Sequence, residues 1–429
     1  MRIDDGSEAE HVMSDVRSRR RSFFLVAAIG AIALIGAAPA LAGDGDLDPA
    51  FGTGGRVTTL FPNGSYATAL AIPPDGGVVA VGAAAGPSMT GEFAVARYGT
   101  DGVLDPGFDE DGMVTTAIAG GGDEARSVAV QPNGRIVVAG TDSRRRFAIV
   151  RYLPDGELDQ SFGDGGIVRT DLTTGEDIAY DVAVQTDGKI VAVGSAATGT
   201  QFAIVRYRRG GGLDETFGEA GSVLVARGDR ARSVALASDG RIVVAGYNGW
   251  GLLVVRLLQD GRPDASFGGD GIVDRIVTQI LPLAVALQPN DKIVVAGDYD
   301  IFRTGIARLT ADGRLDATFA GDGVRSVRFG AGEQNFTGLA VQDDGRILAV
   351  GHVGPHEFGD PIEPRIILAR FLRTGALDAT WGGDGKLSTT FPGGASASGI
   401  ALQQNGKPVV AGEAGEGDAW GFALARYLG

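Results

Sequence analysis

Residues 127–170 read SVAVQPNGRIVVAGTDSRRRFAIVRYLPDGELDQSFGDGGIVRT, and this stretch decides the fold. It contains four short runs rich in apolar and β-branched residues, at 127–131, 135–140, 147–152 and 166–170. A turn-forming Pro-Asn-Gly sequence (132–134) separates the first run from the second, and Pro-Asp-Gly (154–156) follows the third run. Short β-branched runs joined by Asn-Gly and Asp-Gly turns are typical of antiparallel hairpins. The stretch therefore predicts four antiparallel strands, which we letter a to d in chain order.

The same unit occurs seven times along the chain. Its clearest marker is Leu-Asp-x-x-Phe, which recurs about every 55 residues, once with Pro for Leu and once with Trp for Phe. The markers begin at Leu47, Leu104, Leu158, Leu213, Pro263, Leu315 and Leu377. Repeated units of four antiparallel strands predict a β-propeller with one unit per blade. The rival architecture, a β-solenoid, usually has far shorter coils. We expect an all-β, seven-bladed propeller that forms a single domain over residues 43–429.

The repeat resembles a known family of sequence repeats. The resemblance rests on stretches such as AVQTDGKIVAVG (183–194), FAIVRY (202–207) and DGELDQSFG (155–163). These are similar to the bacterial delta-60 repeat over essentially all of residues 43–429. The unit also resembles the blade of NHL-type propellers, and that resemblance implies that strand a is innermost. The delta-60 family has no generally established activity, so the resemblance implies a fold more than a function.

The order of strands predicts how the ring closes. Residues 47–59 match a d strand, whereas the chain ends with the a, b and c strands of a blade at 399–403, 408–412 and 422–427. We expect the N-terminal strand to complete the C-terminal blade, because a ring closed in this way leaves no free edge.

An arginine ends every c strand, and in six units the repeated aspartate follows eight residues later. A turn such as Thr100-Asp101-Gly102, with Gly in the left-handed conformation, places the two residues opposite each other. We predict structural ion pairs rather than an anion-binding ring, because buried arginines need paired charges. The predicted pairs are Arg97–Asp105, Arg151–Asp159, Arg206–Asp214, Arg256–Asp264, Arg308–Asp316, Arg370–Asp378 and, through ring closure, Arg426–Asp48.

Residues 1–42 have the features of a signal peptide. A basic run at 17–21 precedes a charge-free stretch at 23–42, which ends in Ala40-Leu41-Ala42. This order of regions is typical of a secretory signal. The sequence RRSFFL (20–25) also resembles the twin-arginine export signal. We expect a secreted or cell-surface protein without a membrane span after cleavage; an uncleaved signal anchor is the alternative.

Composition excludes several classes of function. The 429 residues include no Cys and 3 His, and the net charge is −15. Without Cys there is no disulfide, thiolate metal site or cysteine nucleophile. The negative charge disfavours nucleic acid as a partner. No catalytic or nucleotide-binding motif occurs. We expect no catalytic residue, cofactor or metal, and the oligomeric state remains open.

Variation among the repeats indicates where a ligand could bind. The a–b turns are nearly uniform, whereas the b–c and d–a loops, which share one face of a propeller, differ in length and chemistry. Loops on a rigid frame are the usual place for recognition. We expect a non-enzymatic module that binds a protein or glycan through this face. Because Trp, Tyr and Arg are common binding anchors, the candidate residues are Arg144, Arg145, Arg146, Tyr247, Trp250, Tyr299, Phe302 and Trp420.

Two alternative functions remain open. One is a lactonase-like or lyase-like enzyme with acids and His at the channel mouth, and the other is a purely structural cell-surface repeat domain. The longest loop, between Gly351 and Arg365, carries His352, His356, Glu357, Asp360 and Glu363. Its Gly and Pro residues argue against a helix that presents both His on one face, and no His-Glu-x-x-His motif occurs. We place both His outside the innermost strand, away from the channel.

Overall fold

The structure is a computed structural model that describes residues 43–86, 90–249, 251–274, 276–277, 279–356, 361–416 and 419–429. The targeting segment predicted at 1–42 lies outside the described residues. The described residues form 28 strands and no helix. Within these ranges there is accordingly no helix of the length and hydropathy needed to cross a membrane.

The strands form seven sheets of four, which we number as blades. The strands of blades 1 to 4 are β2 (Ser65–Ala71), β3 (Val78–Ala85), β4 (Gly91–Tyr98) and β5 (Met113–Thr116); β6 (Glu124–Val130), β7 (Ile136–Thr141), β8 (Phe147–Tyr152) and β9 (Ile167–Thr170); β10 (Ile178–Val184), β11 (Ile190–Ala196), β12 (Gln201–Tyr207) and β13 (Ser222–Val225); β14 (Arg230–Leu236), β15 (Ile242–Tyr247), β16 (Leu252–Leu257) and β17 (Ile272–Asp274). Those of blades 5 to 7 are β18 (Leu281–Leu287), β19 (Ile293–Asp300), β20 (Arg303–Leu309) and β21 (Val324–Val327); β22 (Glu333–Val341), β23 (Ile347–Gly354), β24 (Arg365–Phe371) and β25 (Lys386–Thr389); β26 (Ala395–Leu402), β27 (Pro408–Glu416), β28 (Ala419–Arg426) and β1 (Arg56–Thr59).

Blade 7 closes the ring with strands from both ends of the chain. The strand order in this sheet is β1-β28-β27-β26, and β1 pairs antiparallel with β28, so that Thr59 lies opposite Phe422. In the other six blades the four strands follow one another in chain order. The predicted all-β, seven-bladed propeller, with its N-terminal outer strand in the C-terminal blade, is confirmed.

The Leu-Asp-x-x-Phe segments are turns and not parts of the outer strands, as residues 47–59 show. The outer strand β1 begins only at Arg56, and Leu47 forms an isolated bridge with Tyr427. Between them the backbone turns tightly, because the N–H of Phe51 donates to the carbonyl of Asp48 and that of Gly55 donates to the carbonyl of Phe51. The prediction of a continuous strand over 47–59 is therefore wrong.

The hydrophobic core lies between the blades. Every residue of β7 and β8 is buried, because both faces of the sheet are covered by neighbouring blades. One cluster, for example, joins Val79 and Val95 of blade 1 to Val138 and Val150 of blade 2. Strands that are buried on both faces have continuous apolar sequences instead of alternating ones, as the repeated Ile-Val-x-x-Gly runs do.

The arginine at the end of each c strand joins its own blade to the next. Arg151 Nε lies 2.8 Å from Asp159 Oδ2, and the guanidinium lies 4.3 Å from the ring centre of Phe162. Its Nη1 donates to the carbonyl of Arg209, in the c–d turn of blade 3. Both charged side chains are almost fully buried. We call this set of contacts the arginine clamp.

Each of the seven arginines lies within salt-bridge distance of the aspartate that the sequence spacing assigns to it. The N–O distance is 3.1 Å for Arg97–Asp105, and it is 2.7 to 2.8 Å for Arg151–Asp159, Arg206–Asp214, Arg256–Asp264, Arg308–Asp316, Arg370–Asp378 and Arg426–Asp48. The last pair joins residues from the two ends of the chain. Arg97 also contacts Asp75, and Lys407 also contacts Asp48.

The clamp has a consequence for acid stability. Burial alone would raise the pKa of Asp159, but hydrogen bonds from Ser161 and the charges of Arg151 and Arg135 outweigh it and lower the pKa to about 2. Because this pKa lies below the ordinary value of 3.8, ionised Asp159 stabilises the fold above about pH 4. That contribution is lost as the pH falls towards 2.

We expect Asp159→Asn to lower the free energy of unfolding by about 3 kcal/mol at pH 7, because it leaves Arg151 buried without its counter-charge. Urea denaturation at pH 7 and pH 3 measures the effect, which should shrink at the lower pH. Glu157→Gln removes the same charge at an exposed position nearby and serves as the control. Equal losses in both variants would contradict the clamp.

Because the ring is closed, we expect the ion pair Arg426–Asp48, which joins the two ends of the chain, to be coupled as strongly as the pair Arg151–Asp159 within blade 2. A double-mutant cycle on Arg426→Gln and Asp48→Asn should give a coupling energy of about 1 to 3 kcal/mol. The cycle on Arg151→Gln and Asp159→Asn supplies the reference value. A coupling near zero for the terminal pair alone would show that the ring is open in solution.

Candidate functional site

A cavity of about 490 Å³ lies inside the ring, surrounded by the innermost strands of all seven blades. Each of β2, β6, β10, β14, β18, β22 and β26 contributes two or three consecutive residues to its lining. The volume is in the range of sites for small molecules or the end of a chain.

Each innermost strand carries a β-bulge where it lines the cavity. In blade 2, Ala125 pairs with Gly140 and Ser127 pairs with Ala139, so that Arg126 is the extra residue. The same irregularity occurs at the same place in the other six blades. A bulge redirects a side chain, and all seven bulge residues line the cavity: Thr68, Arg126, Tyr180, Arg232, Leu283, Thr337 and Ser398.

A glycine of strand b makes room for each bulge. A Cβ atom on Gly140 would overlap the carbonyl oxygen of Glu124, two residues before the bulge. The equivalent glycines in the other blades face the same overlap: Gly82, Gly194, Gly246, Gly297, Gly351 and Gly412. The Gly that ends each Ile-Val-x-x-Gly run is therefore required by the close approach of the innermost strand.

Blades 2 to 4 place two arginines against one tyrosine in the channel. The guanidinium carbons of Arg126 and Arg232 lie 5.1 Å and 4.5 Å from the ring centre of Tyr180. Arg232 also lies 5.8 Å from the ring of Tyr247, and Arg126 pairs with Glu124 at 2.6 Å. Within the described part of the chain, the buried Nε atoms of both arginines have no hydrogen-bond partner. We call Arg126, Tyr180 and Arg232 the arginine side of the channel.

Asp181 ties together the strands that carry the arginine side. Its carboxylate accepts hydrogen bonds from Ser127 Oγ at 2.6 Å and from the N–H groups of Val182 and Val234, both at 2.8 Å. These partners come from β6, β10 and β14. Burial raises the pKa of Asp181, although these hydrogen bonds act in the opposite direction. The arrangement fixes the positions of the three innermost strands relative to one another.

Blades 5 to 7 place acidic groups and a histidine at the end of the ring where the bulges lie. None of these groups lines the channel cavity, but the charge of Arg232 acts on Asp298. Burial, together with the charge of Glu333, raises the pKa of Asp298 to about 6. Burial lowers the pKa of His352, although the carbonyl of Ala397 and the charge of Glu333 act the other way. A pocket of about 240 Å³ is lined by Glu333, His352 and Glu413 together with Ser396 and Trp420. We call Asp298, Glu333, His352 and Glu413 the acidic side.

Three of the predicted binding residues lie together in the b–c loop of blade 2. Arg146 forms a two-pronged contact with buried Asp142, with N–O distances of 2.9 and 2.6 Å, so its charge is used within the loop. Arg145 lies 3.7 Å from Glu176 across the blade boundary, and Arg144 is exposed. None of the three is among the residues that line the channel cavity.

The predicted aromatic residues are spread over several blades. Tyr247 contacts Arg232, and its hydroxyl accepts a hydrogen bond from Arg230 at 3.3 Å, so it borders the arginine side. Trp420 lines the small pocket of the acidic side. Tyr299 lies under Arg303, and the ring of exposed Phe302 lies 5.3 Å from that of His356. Trp250 lies outside the described residues.

The placement of His352 in the b–c loop is wrong, although the residue lies outside the innermost strand as expected. Pairing between β22 and β23 continues past Gly351 to Gly354, so His352 lies in strand b and opposite Asn335 of the innermost strand. His356 lies 3.8 Å from Glu333, and Glu363 is exposed. Glu357 and Asp360 lie outside the described residues. Among the described residues no three His, Asp or Glu side chains are grouped as metal ligands.

The channel residues Arg126, Tyr180 and Arg232, and Asp298 of the acidic side, were not predicted from the sequence. A signal for the bulge residues does exist within the chain. In EARSVAV (124–130), IAYDVAV (178–184) and RARSVAL (230–236) a long side chain, Arg, Tyr and Arg in turn, follows the shared Ala. Comparison of the loops did not include this position, because it lies within a strand and the bulge that redirects it is visible only in the strand pairing.

The raised pKa of Asp298 predicts a cost to stability at neutral pH. A carboxyl whose folded pKa lies above 3.8 contributes stability at low pH that is lost as the pH rises through about 6. We expect Asp298→Asn, which cannot ionise, to be more stable than the wild type by about 1 kcal/mol at pH 8. At pH 4 the gain should vanish. Urea denaturation at both pH values tests this, and an equal change at both would contradict it.

Comparison with known sequences supports the repeat. Five segments match a family model described as "Domain of unknown function (DUF5122) beta-propeller": residues 74–108, 131–162, 185–217, 237–267 and 288–319. Each segment runs from the region of an a–b turn to the aromatic residue of Leu-Asp-x-x-Phe in blades 1 to 5. The bulge residues of the innermost strands lie outside these segments. No curated protein matches the sequence.

Solved structures with similar folds are distant in sequence. A protein of unknown function from Dyadobacter fermentans DSM 18053 has 13% identity and a TM-score of 0.45, covering 89% of this chain and 100% of that one. The PQQ-bound aldose sugar dehydrogenase of Streptomyces coelicolor has 14% identity and a TM-score of 0.43, covering 70% and 94%. Virginiamycin B lyase from Staphylococcus aureus has 10% identity and a TM-score of 0.37, covering 71% and 94%.

With TM-scores below 0.5, these similarities indicate no function for this chain. The matched segments and the seven four-stranded blades identify the chain as a β-propeller repeat protein.

Proposed function

We propose that this is an exported, non-enzymatic binding protein that holds the anionic end of its ligand in the central channel. The observation that carries the proposal is the arginine side. There, two guanidinium groups stack on Tyr180, and in the described structure each retains a buried Nε without a hydrogen-bond partner.

The ligand group follows from the chemistry of arginine. Guanidinium has only donors, and its planar fork matches carboxylate and phosphate oxygens. The clamp arginines are neutralised by aspartates, whereas no salt bridge to Arg232 occurs among the described residues. A positive charge inside a narrow channel attracts an anion more strongly than the same charge on an open surface. We therefore assign the arginine side to an anionic group.

The shape of the channel favours the end of a ligand over a flat protein surface. A cavity of about 490 Å³ accepts a small molecule or a chain terminus. The bulge residues lie near the starts of the innermost strands, which adjoin the d–a loops, so the variable face remains the proposed binding face. This makes the channel mouth, rather than scattered loop residues such as Arg144, the centre of the proposed site.

Export and family assignment belong to the same proposal. The basic, apolar and small-residue regions of 1–42 support transport across a membrane, and the protein then works outside the cell or at its surface. The resemblance to delta-60 repeats, with blades like those of NHL-type propellers, agrees with the five matched segments. The absence of a recognised catalytic motif in the sequence supports a binding function.

Binding of matched probes tests this function. We expect trialanine and trigalacturonate, which carry carboxylates, to bind at least about tenfold more tightly than N-acetyltrialanine amide and maltotriose, which carry none. Isothermal titration calorimetry at low and moderate salt measures the affinities, which should fall as salt rises. Arg126→Gln and Arg232→Gln should each weaken binding of the carboxylate probes by about tenfold or more.

Arg144→Gln removes an exposed arginine from the same face and is the matched control. A loss in this control without a loss in Arg232→Gln would move the site to the loop surface. Equal affinity for charged and neutral probes would reject the proposal. If mass spectrometry detects a reaction product after the protein is incubated with a probe, the protein is a propeller enzyme instead.

A further inference from the structure

We propose that the acidic side of the channel mouth is a second subsite, which binds an ammonium group, and that the ligand is a short peptide with free termini. This rests on the proposed function, in which the arginine side holds the carboxylate. The new proposal adds the class of ligand, a peptide, and its orientation, with the ammonium group on the acidic side.

The unpartnered polar atoms around the channel are sorted by type. Within the described residues, the buried atoms without a hydrogen-bond partner on the arginine side are donors, Arg126 Nε and Arg232 Nε. At the same end of blades 5 and 6 they are acceptors: Asp298 Oδ1, Asn335 Oδ1 and His352 Nδ1. The acceptors Gln185 Oε1 and Gln342 Oε1 also have no partner among the described residues, but they lie in a–b turns at the opposite end of the ring. Buried polar groups without partners are costly and call for an explanation. A ligand that accepts at one end and donates at the other satisfies both sets.

His352 is suited to accept a hydrogen bond. The carbonyl of Ala397 bonds to its imidazole, which uses the ring nitrogen that carries the proton. Because burial lowers the pKa of His352, the ring is neutral at pH 7 and its other nitrogen is an acceptor. Asn335, which lies opposite His352 in the strand pair, presents a second acceptor. An ammonium group has three donors and no acceptor.

Charge around this subsite also favours a cation. Glu333 and Glu413 line the small pocket with His352 and Trp420, and Asp298 interacts with Glu333. The face of a Trp ring attracts ammonium groups. At about 240 Å³ the pocket accepts a compact group and not a second chain.

A peptide provides both charges in one molecule. The carboxylate lies at one terminus and the ammonium at the other, and each residue of an extended chain spans about 3.3–3.6 Å. The two sides are close to each other, because the charge of Arg232 acts on Asp298, so a peptide of a few residues is long enough to contact both. A glycan of neutral and acidic sugars offers carboxylates and hydroxyls but no cation, so it satisfies the arginine side alone.

Four forms of one tripeptide test the inference. The probes are trialanine, N-acetyltrialanine, trialanine amide and N-acetyltrialanine amide, measured by isothermal titration calorimetry at pH 7. We expect N-acetylation and C-amidation each to weaken binding by about tenfold or more. In Asp298→Asn and Glu333→Gln the effect of N-acetylation should fall by at least about threefold, while the effect of C-amidation persists.

Glu363→Gln, an exposed acid in the b–c loop of blade 6, is the control and should respond like the wild type. If N-acetylation has no effect while C-amidation weakens binding, the ammonium subsite is rejected and the proposed function stands. Tighter binding of trigalacturonate than of any peptide also rejects the peptide ligand. If C-amidation has no effect either, the proposed function itself fails.

Discussion

The buried arginine at the end of every third strand is the interaction on which the ring depends. Each guanidinium is neutralised by the aspartate of its own blade, and in six blades it also packs against the aromatic residue of Leu-Asp-x-x-Phe. Another guanidinium N–H donates a hydrogen bond to the next blade around the ring. Arg151 donates to the carbonyl of Arg209 in blade 3, and Arg426 of blade 7 donates to the carbonyl of Thr100 in blade 1. Because a buried charge must be fully compensated, the clamp holds neighbouring blades at a set distance. The core between them is then packed on both faces of every sheet.

The second repeated feature is the β-bulge of each innermost strand, which lies opposite a glycine of strand b. It allows the residues that line the channel to differ while the rest of the blade stays the same. Gly140 allows the backbone of β6 to approach β7 closely, and Arg126 is redirected into the channel. Since all seven blades repeat this geometry, one position per blade can change without disturbing the core. The family model matches segments that hold the clamp and leaves out the bulge residues. The bulge residues Thr68, Arg126, Tyr180, Arg232, Leu283, Thr337 and Ser398 form the ring of side chains that lines the cavity.

Much of the frame could be predicted because its signals are local. The eight-residue spacing from Arg151 to Asp159 crosses one turn, and the order of strands at the two termini implies closure. The extent of single strands was less predictable: the sequence of residues 47–59 is typical of one strand, although hydrogen bonds at Phe51 and Gly55 turn the chain. His352 was misplaced because strand b continues past its glycine: the residue after that glycine pairs with strand a in every blade, as Thr141 does with Glu124. The binding candidates came from the variable loops, and the structure gives them different surroundings. Tyr247 contacts Arg232 and Trp420 lines the small pocket of the acidic side, whereas Arg146 forms an ion pair with Asp142 inside its own loop.

The number of blades, the strand order and the charge pairs of the clamp follow from the sequence alone, because they depend on periodicity and on residues near one another in the chain. Which side chains share the channel depends on the packing of the whole ring. Arg126, Tyr180 and Arg232 are more than fifty residues apart from one to the next and meet because ring closure brings seven innermost strands around one axis. The perturbed pKa of Asp298 likewise depends on Glu333 of the next blade. Such long-range encounters follow from packing and leave no local pattern in the sequence.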